Sequence, residues 1–503
     1  MNFLNHLFNS FKENESVEAF CINDVFYTYG DLMRTINVIR ALLREKSLKD
    51  ECHFGLITNN DLETYATIFA LWFEGKAYIP INPNHPKKRN QEILADIDIR
   101  NIFNSSNEQL SYQDGYNEIS TRGFSSMSNQ HLFGAITFDE KAIAYIIYTS
   151  GSTGKPKGIP ITFGNLNALF SAINSDAIFK LNKKDRCLQM YDLTFDASLT
   201  AFLPGLFVGA CIYTVPPNSM KYFKILKLIA QYELTVLKMV PSIIYYLKPY
   251  FKKIHAPSVR YCIFGGGKLF EDIVLDWMKS IPNAKILNHY GPTETTVCSS
   301  YYAYDQSSVK KFQGILSIGK PWPHLDYLIV DENGQELGIN EHGELCIAGE
   351  QLTKGYLNNP KKNSSSFFDK NVNGVVKRYY KSGDICYQSD DGNYMYVGRI
   401  DFQVKIRGYR VELSEIEYHA KAISNSPDIL VIDILNALNN AELALVTTND
   451  KLDFNPVIDY LKTKVPDYMV PTKAFKISDF PLNLNGKIDR EKVRESYYNQ
   501  NKQ

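Results

Sequence analysis

The densest chemistry in the chain lies at 148–158, YTSGSTGKPKG. Glycines let successive backbone N–H groups turn inward as an anion nest. The hydroxyls of Thr149, Ser150, Ser152 and Thr153 add donors, and Lys155 and Lys157 neutralise charge. The combination suits a polyphosphate. It is not a Walker A loop, because Thr149 stands where that loop has its first Gly and Pro156 follows Lys155 in place of Ser or Thr. A bare Gly/Ser run also reads as a flexible linker. The β-rich run KAIAYIIYTS leading into it, and the paired lysines, favour an ordered site.

This loop resembles the signature of the adenylate-forming superfamily: acyl-CoA synthetases, luciferases and amino-acid adenylation domains. The resemblance continues in chain order. NHYGPTETT (288–296) is similar to the adenine and magnesium motif, GELCIAGEQLTKGYLNNP (343–360) to the next block, and YKSGD (380–384) to the ribose motif. GRIDFQVKIRGYRVE (398–412) resembles the hinge block, and NGKIDR (485–490) the catalytic-lysine motif. Six ordered matches over nearly the whole chain are far more specific than any one of them.

The resemblance implies an α/β fold. A large N-terminal domain (1–399) of helix-covered sheets with a β-barrel-like subdomain would bind ATP and the acid. A small mobile α+β domain (400–503) would carry the catalytic Lys487. ATP would be held by Thr149, Ser150, Gly151, Ser152, Thr153, Gly154, Lys155, Lys157, Gly266, Asn288, Tyr290, Gly291, Asp384 and Arg399. Thr293 would lie near the phosphate, and Glu294 would give Mg²⁺ a hard carboxylate oxygen. Tyr290 offers a flat face for adenine, Asn288 a hydrogen bond to the base edge, and Asp384 an acceptor for both ribose hydroxyls. Asp401 would be the pivot about which the small domain turns between adenylation and thioester formation. The bland alternatives are a solvated Lys487, a helix-capping Thr-Glu-Thr and a turn role for Asp384.

Asp196, in FDAS, matches the position at which amino-acid adenylation domains pair with the substrate α-ammonium group. A helix N-cap is its other reading. By the same resemblance Ala197, Thr200, Lys238, Ile263, Gly265, His289, Val297 and Cys298 line the side-chain pocket. Lys238 interrupts an apolar strand and His289 adjoins the adenine motif, which places two potential cations in one pocket. An apolar substrate would leave both unpaired, whereas an acidic side chain would pair with them. The set resembles aspartate-activating domains, with Ala197 and Cys298 departing from the pattern. Aspartate is thus the expected substrate. Asparagine, a D-alanine–carrier ligase and an acyl-CoA-type ligase remain alternatives, as does a nucleotide-binding scaffold without activity.

The elements that must position these residues are legible around them. Short β-rich runs at 53–60, 141–150, 211–217, 234–242, 260–267 and 285–292 alternate with helical patterns such as 221–233, which implies parallel sheets covered by helices. Beyond about residue 310 the texture becomes antiparallel, with Asn-Gly and Asp-Gly turns. The most apolar stretch, 199–217, is broken by Pro204, Gly205 and Gly209 and reads as a buried helix entering a buried strand, with no membrane span. Lys plus Arg is 55 and Asp plus Glu is 55, a balance that argues against a nucleic-acid binder. Eight scattered Cys without metal-ligand spacing, and no signal peptide, read as a reduced cytoplasmic protein. With thirteen residues after Arg490 and no serine attachment motif, a phosphopantetheine-bearing carrier protein is expected in trans. The initial Met and polar tail read as a free-standing chain.

Overall fold

The computed structural model describes all residues except 1, 46, 109–114, 128–133, 135, 152–153, 217–218, 483–487 and 501–503. The chain divides into two compact units. The first is Met1–Asn82, Leu94–Tyr148 and Gly158–Ile400. The second is Pro83–Ile93, Thr149–Lys157 and Asp401–Gln503.

The first unit contains three large sheets. One has six strands in the order Asn117–Ser120, Asn101–Asn104, His53–Ile57, Ala77–Ile81, Ile143–Thr149 and Lys157–Thr162. Its central neighbours are parallel, with Tyr78 opposite Tyr145. The second has nine strands. Its parallel centre runs Lys285–Tyr290, Tyr261–Gly265, Val236–Met239, Arg186–Gln189, Cys211–Thr214 and Glu18–Ile22, with antiparallel strands at both edges. This is the mixed α/β architecture expected from the alternating texture. Parallel strands need crossover connections, and helices fill that role while covering the sheet faces.

Helix Leu62–Phe73 shows why such crossovers read as continuous apolar runs. Asp61 caps it by accepting from the N–H of Thr64 at 2.8 Å, and every residue of the helix is buried. The 199–217 stretch likewise resolves into a buried helix, Leu199–Phe207, followed by the strand Cys211–Thr214. No helix among the described residues is long and apolar enough to cross a membrane. All eight cysteines are free thiols.

Past residue 320 the connections shorten and the pairing turns antiparallel. Leu325–Val330, Gly343–Gly349, Val375–Gln388, Phe367–Val372 and Tyr394–Arg399 form a five-stranded sheet. The Asn373-Gly374 pair turns one of its hairpins with both residues left-handed, a conformation that Gly adopts without cost and Asn tolerates.

In the second unit, Ile429–Leu435 pairs with Ala441–Thr447, which pairs in turn with Lys473–Lys476. The two-residue period splits the first strand between two cores. Ile429 and Val431 pack with Ile416, Leu445 and Leu461, while Leu430, Ile432 and Ile434 pack with Val446 and Val493. A hairpin, Gln403–Ile406 with Tyr409–Glu412, precedes helix Leu413–Ser424.

Candidate active site

The expected residues fall in both units, and each group is built from its own elements. In the first unit, the parallel register aligns the carboxyl ends of three neighbouring strands. Lys238 lies opposite Ile263, and Gly265 opposite His289. The carboxyl edge of such a sheet is where α/β folds present ligand sites.

Lys238 points inward, 4% exposed, despite the alternation that could have sent it to solvent. Its ammonium donates to the hydroxyl of Thr200, which itself donates to the carbonyl of Ala197 at 3.1 Å. Burial pulls the Lys238 pKa down to about 8, and the thiol of Cys298 and the carboxyl of Asp196 oppose that fall. Thr200, Asp196, Cys298 and Lys238 therefore share one buried environment. His289 is held well below its ordinary pKa by burial and by the positive charge of Lys238. Burial and the mutual repulsion of two positive charges in one desolvated space favour a single cation beside a neutral imidazole over the two potential cations expected from the sequence. The Nδ1 of His289 makes no hydrogen bond among the described residues.

Val297 and Cys298 follow a single 3₁₀ turn, Thr293–Thr295, and a kink in which Thr296 and Val297 both have positive φ, 58° and 68°. A β-branched residue in that region is strained, and strain of this kind persists where surrounding contacts over-determine it. Gln351, fully buried, provides those contacts. Its amide donates to the carbonyls of Thr295, Thr296 and Cys298 at 3.0, 3.3 and 2.8 Å, and its backbone carbonyl accepts from the Thr296 hydroxyl at 2.6 Å. Trp322 adds a bond to the Cys298 carbonyl at 3.1 Å. Gly291 permits the fold-back, since a Cβ there would lie 2.6 Å from the Cα of Cys298.

The expected nucleotide residues of this unit also converge. Asp384 accepts from Tyr290 Oη at 2.5 Å and pairs with Arg399 at 2.6 Å. Burial and the neighbouring Asp384 push the Tyr290 phenol well up, so it stays a donor. Asn288 donates to the Ser317 carbonyl at 2.9 Å, and Gly266 takes a left-handed turn after its strand. Glu294 is fully buried and accepts from Tyr356 Oη at 2.7 Å. Among the described residues no cluster of three or more His, Cys, Asp or Glu could hold a metal on its own. Glu294 thus fits Mg²⁺ only in the usual manner of that ion, one carboxylate completed by phosphate oxygens and water.

In the second unit the expected phosphate loop packs against the second strand of the hairpin and the helix that follows it. Ser150 donates to the Arg410 carbonyl at 3.0 Å and accepts from the Glu412 N–H at 3.1 Å. The N–H of Gly151 donates to Glu415 at 2.9 Å, Arg89 pairs with the same carboxylate at 2.5 Å, and Lys157 faces Glu412 at 3.4 Å. Gly154 lies under the Tyr418 ring, where a Cβ would approach to 2.5 Å. Thr149 has a buried hydroxyl without a partner among the described residues, and Lys155 is exposed. Asp401 accepts from the N–H of Gln403 at 3.2 Å. Ser152, Thr153 and Lys487 lie outside the described residues.

Three contributors escaped the sequence reading: Gln351, Tyr356 and the Arg89–Glu415 pair. Gln351 and Tyr356 stand inside the block GELCIAGEQLTKGYLNNP, where Glu350, Thr353 and Lys354 are equally polar neighbours, so residue type did not single them out. Arg89 and Glu415 are far apart in sequence, and nothing local couples them.

The AMP-binding enzyme family matches residues 7–357. Zwittermicin A synthase ZmaJ of Bacillus cereus is 30% identical over 485 residues, covering 92% of this chain and 89% of its own. Bacitracin synthase 3 of Bacillus licheniformis is 31% identical over 93% of this chain, which spans only 7% of that protein. Among solved structures, the Vibrio cholerae adenylation domain AlmE, in complex with glycyl-adenosine-5'-phosphate, superposes with a TM-score of 0.84 at 26% identity, covering 99% of this chain and 98% of its own. The chain belongs to the family of AMP-binding enzymes.

Proposed function

We propose that the protein activates an amino acid as its adenylate and that the amino acid is aspartate. One oxygen of the α-carboxylate attacks the α-phosphorus of ATP, a P–O bond forms, and pyrophosphate leaves with the electrons of the broken bond. Negative charge gathers around phosphorus, so cations and donors placed there lower the barrier. Lys487 is assigned that role, with Thr293 beside the phosphate. Asp384 and Tyr290 receive the nucleoside, and Asp196 pairs with the α-ammonium group. Mg²⁺ on Glu294 would neutralise phosphate charge. The thiolate of a carrier protein's phosphopantetheine, its proton lost to solvent, then attacks the acyl carbon, so that a C–S bond forms, the C–O bond to phosphate breaks and AMP leaves, with Asp401 as the pivot between the two steps.

The observation that carries the aspartate reading is the buried ammonium of Lys238, bonded to the neutral hydroxyl of Thr200. A buried cation held by a neutral group is costly until an anion joins it. One carboxylate supplies one compensating charge, which matches a pocket whose imidazole is neutral. A second reading, asparagine, is favoured by the unpartnered Nδ1 of His289, which in one tautomer can accept from a side-chain amide. ATP–pyrophosphate exchange across the amino acids decides between them. Fastest exchange with aspartate supports the first reading. Preference for asparagine supports the second, and exchange confined to small neutral or aromatic acids removes both.

A further inference from the structure

A polar cavity lies in the first unit, and none of its lining residues is among those assigned above. It opens at the carboxyl ends of the strands His53–Ile57, Arg186–Gln189 and Cys211–Thr214, and its enclosed volume is about 30 Å³ beneath an open mouth. Tyr65, Met190 and Leu193 supply apolar lining, and Asn60, Asp192 and Lys221 supply polar groups.

The polar groups divide sharply between committed and uncommitted. Asp192 accepts from the N–H and hydroxyl of Thr194 at 2.9 and 2.8 Å and from the Asn82 amide. Gln189 closes on the backbone of Tyr191, and the Thr58 hydroxyl donates to the Ile81 carbonyl at 3.2 Å. Two donors, by contrast, are unspent. The Nδ2 of Asn60 is buried and has no hydrogen bond among the described residues. Lys221, first residue of helix Lys221–Tyr232, is half-buried and enters none of the hydrogen bonds or ion pairs of the described residues. Burial lowers its pKa, an effect that Asp192 partly offsets. An ammonium and an amide NH₂ without acceptors in a partly dry cleft call for an anionic oxygen ligand.

We propose that this cleft binds a small organic monocarboxylate, whose oxygens accept from Lys221 and Asn60 and whose apolar body packs on Tyr65, Met190 and Leu193. The neighbouring Asp192 favours a single negative charge, because the second charge of a phosphate dianion would face that acid. The mix of apolar lining and a few directional donors is the ordinary make-up of a small-molecule site.

Calorimetric titration of the full chain with butyrate tests the assignment, with butyramide and inorganic phosphate as parallel arms. Butyrate binds saturably, and the neutral amide and the phosphate bind at least about tenfold more weakly, the scale of a charge-assisted hydrogen bond. Lys221→Met and Asn60→Asp each weaken butyrate by about tenfold or more, while Lys221→Arg keeps the charge and stays within about threefold. Lys238→Met leaves butyrate affinity unchanged, which separates this cleft from the amino-acid pocket. Butyrate affinity that survives both Lys221→Met and Asn60→Asp overturns the proposal, as does its loss in Lys238→Met. Should Lys221→Met fail to fold, Asn60→Asp and Lys221→Arg carry the same decision.

Discussion

Lys238 in the first unit and Lys157 in the second are both buried lysines, 4% and 6% exposed, in regions expected to meet anions. Their surroundings differ in kind. Lys157 faces the carboxylate of Glu412 at 3.4 Å, and beside it Glu415 takes both Arg89 and the N–H of Gly151. Lys238 donates to a hydroxyl. Lys157 and the N–H of Gly151 already have anionic partners within their own unit, so a phosphate would reach them by exchange. The pocket's cation has a neutral partner, so an anion reaches it by addition. Desolvation explains why the second arrangement is rarer. A buried charge paired directly with an opposite charge is tolerable, and one whose nearby carboxyl, here Asp196, offsets only part of the desolvation shifts its pKa toward neutrality, as Lys238 does.

The sharpest way to break this contrast is to remove the pocket cation. Lys238→Met keeps the length and apolar contacts of the side chain and deletes the charge. Losing one partner of a desolvated ion pair costs roughly 3–5 kcal/mol, so aspartate-dependent exchange falls in kcat/KM by about 150- to 5000-fold. Exchange with a neutral amino acid of similar size falls far less. Equal loss for both substrates means that Lys238 acts on stability and not on recognition.

Next in size is the staple behind the pocket. Gln351→Leu deletes an amide NH₂ whose two hydrogens serve three buried carbonyls; the Cys298 carbonyl keeps Trp322, and each group left unsatisfied costs on the order of 1–3 kcal/mol. The strained pair Thr296–Val297 loses the contacts that fix it. Denaturant unfolding shows a loss of about 3 kcal/mol, and KM for the amino acid rises more than KM for ATP. An unchanged ratio of the two KM values shows that the kink does not shape the amino-acid pocket.

The loop side gives a smaller effect. Glu415→Gln keeps the shape of the side chain and removes the charge opposite Arg89. An incoming phosphate then displaces a neutral amide, and KM for ATP falls about three- to tenfold, the scale of a charge-assisted over a neutral hydrogen bond. A rise in KM for ATP shows instead that Glu415 orders the loop for the nucleotide.

Different parts of this molecule were legible in the sequence to different degrees, for physical reasons. Alternating β and helical texture predicted the parallel sheets because both faces of such strands are buried and read as plain apolar runs. Lys238 stood out because an ammonium inside such a run violates the pattern. Its pKa and the neutrality of His289 did not follow, since both depend on which groups share one dry volume, and chain order carries no such information. Gln351 was hidden for a related reason. Its three acceptors are backbone carbonyls, which every residue possesses, so no residue type announces them. Arg89 and Glu415 meet across more than three hundred residues, and their coupling arises from packing alone.

The mildest test uses pH and refines the contrast by comparing the wild-type profile with that of Lys238→Met. The Lys238 ammonium is lowered to about 8, so it is charged below that value and neutral above it. The kcat/KM profile reports the free enzyme. For aspartate it holds level below neutrality and drops to about half its plateau near pH 8, continuing downward as the amine loses its proton. The substrate's own α-ammonium group also titrates on the alkaline side, so the wild-type profile alone leaves two sources. Lys238→Met separates them, because in that variant only the substrate's limb remains and its midpoint lies higher. If wild type and variant lose activity at the same pH, the titrating group is the substrate's, and Lys238 keeps its charge through the whole range.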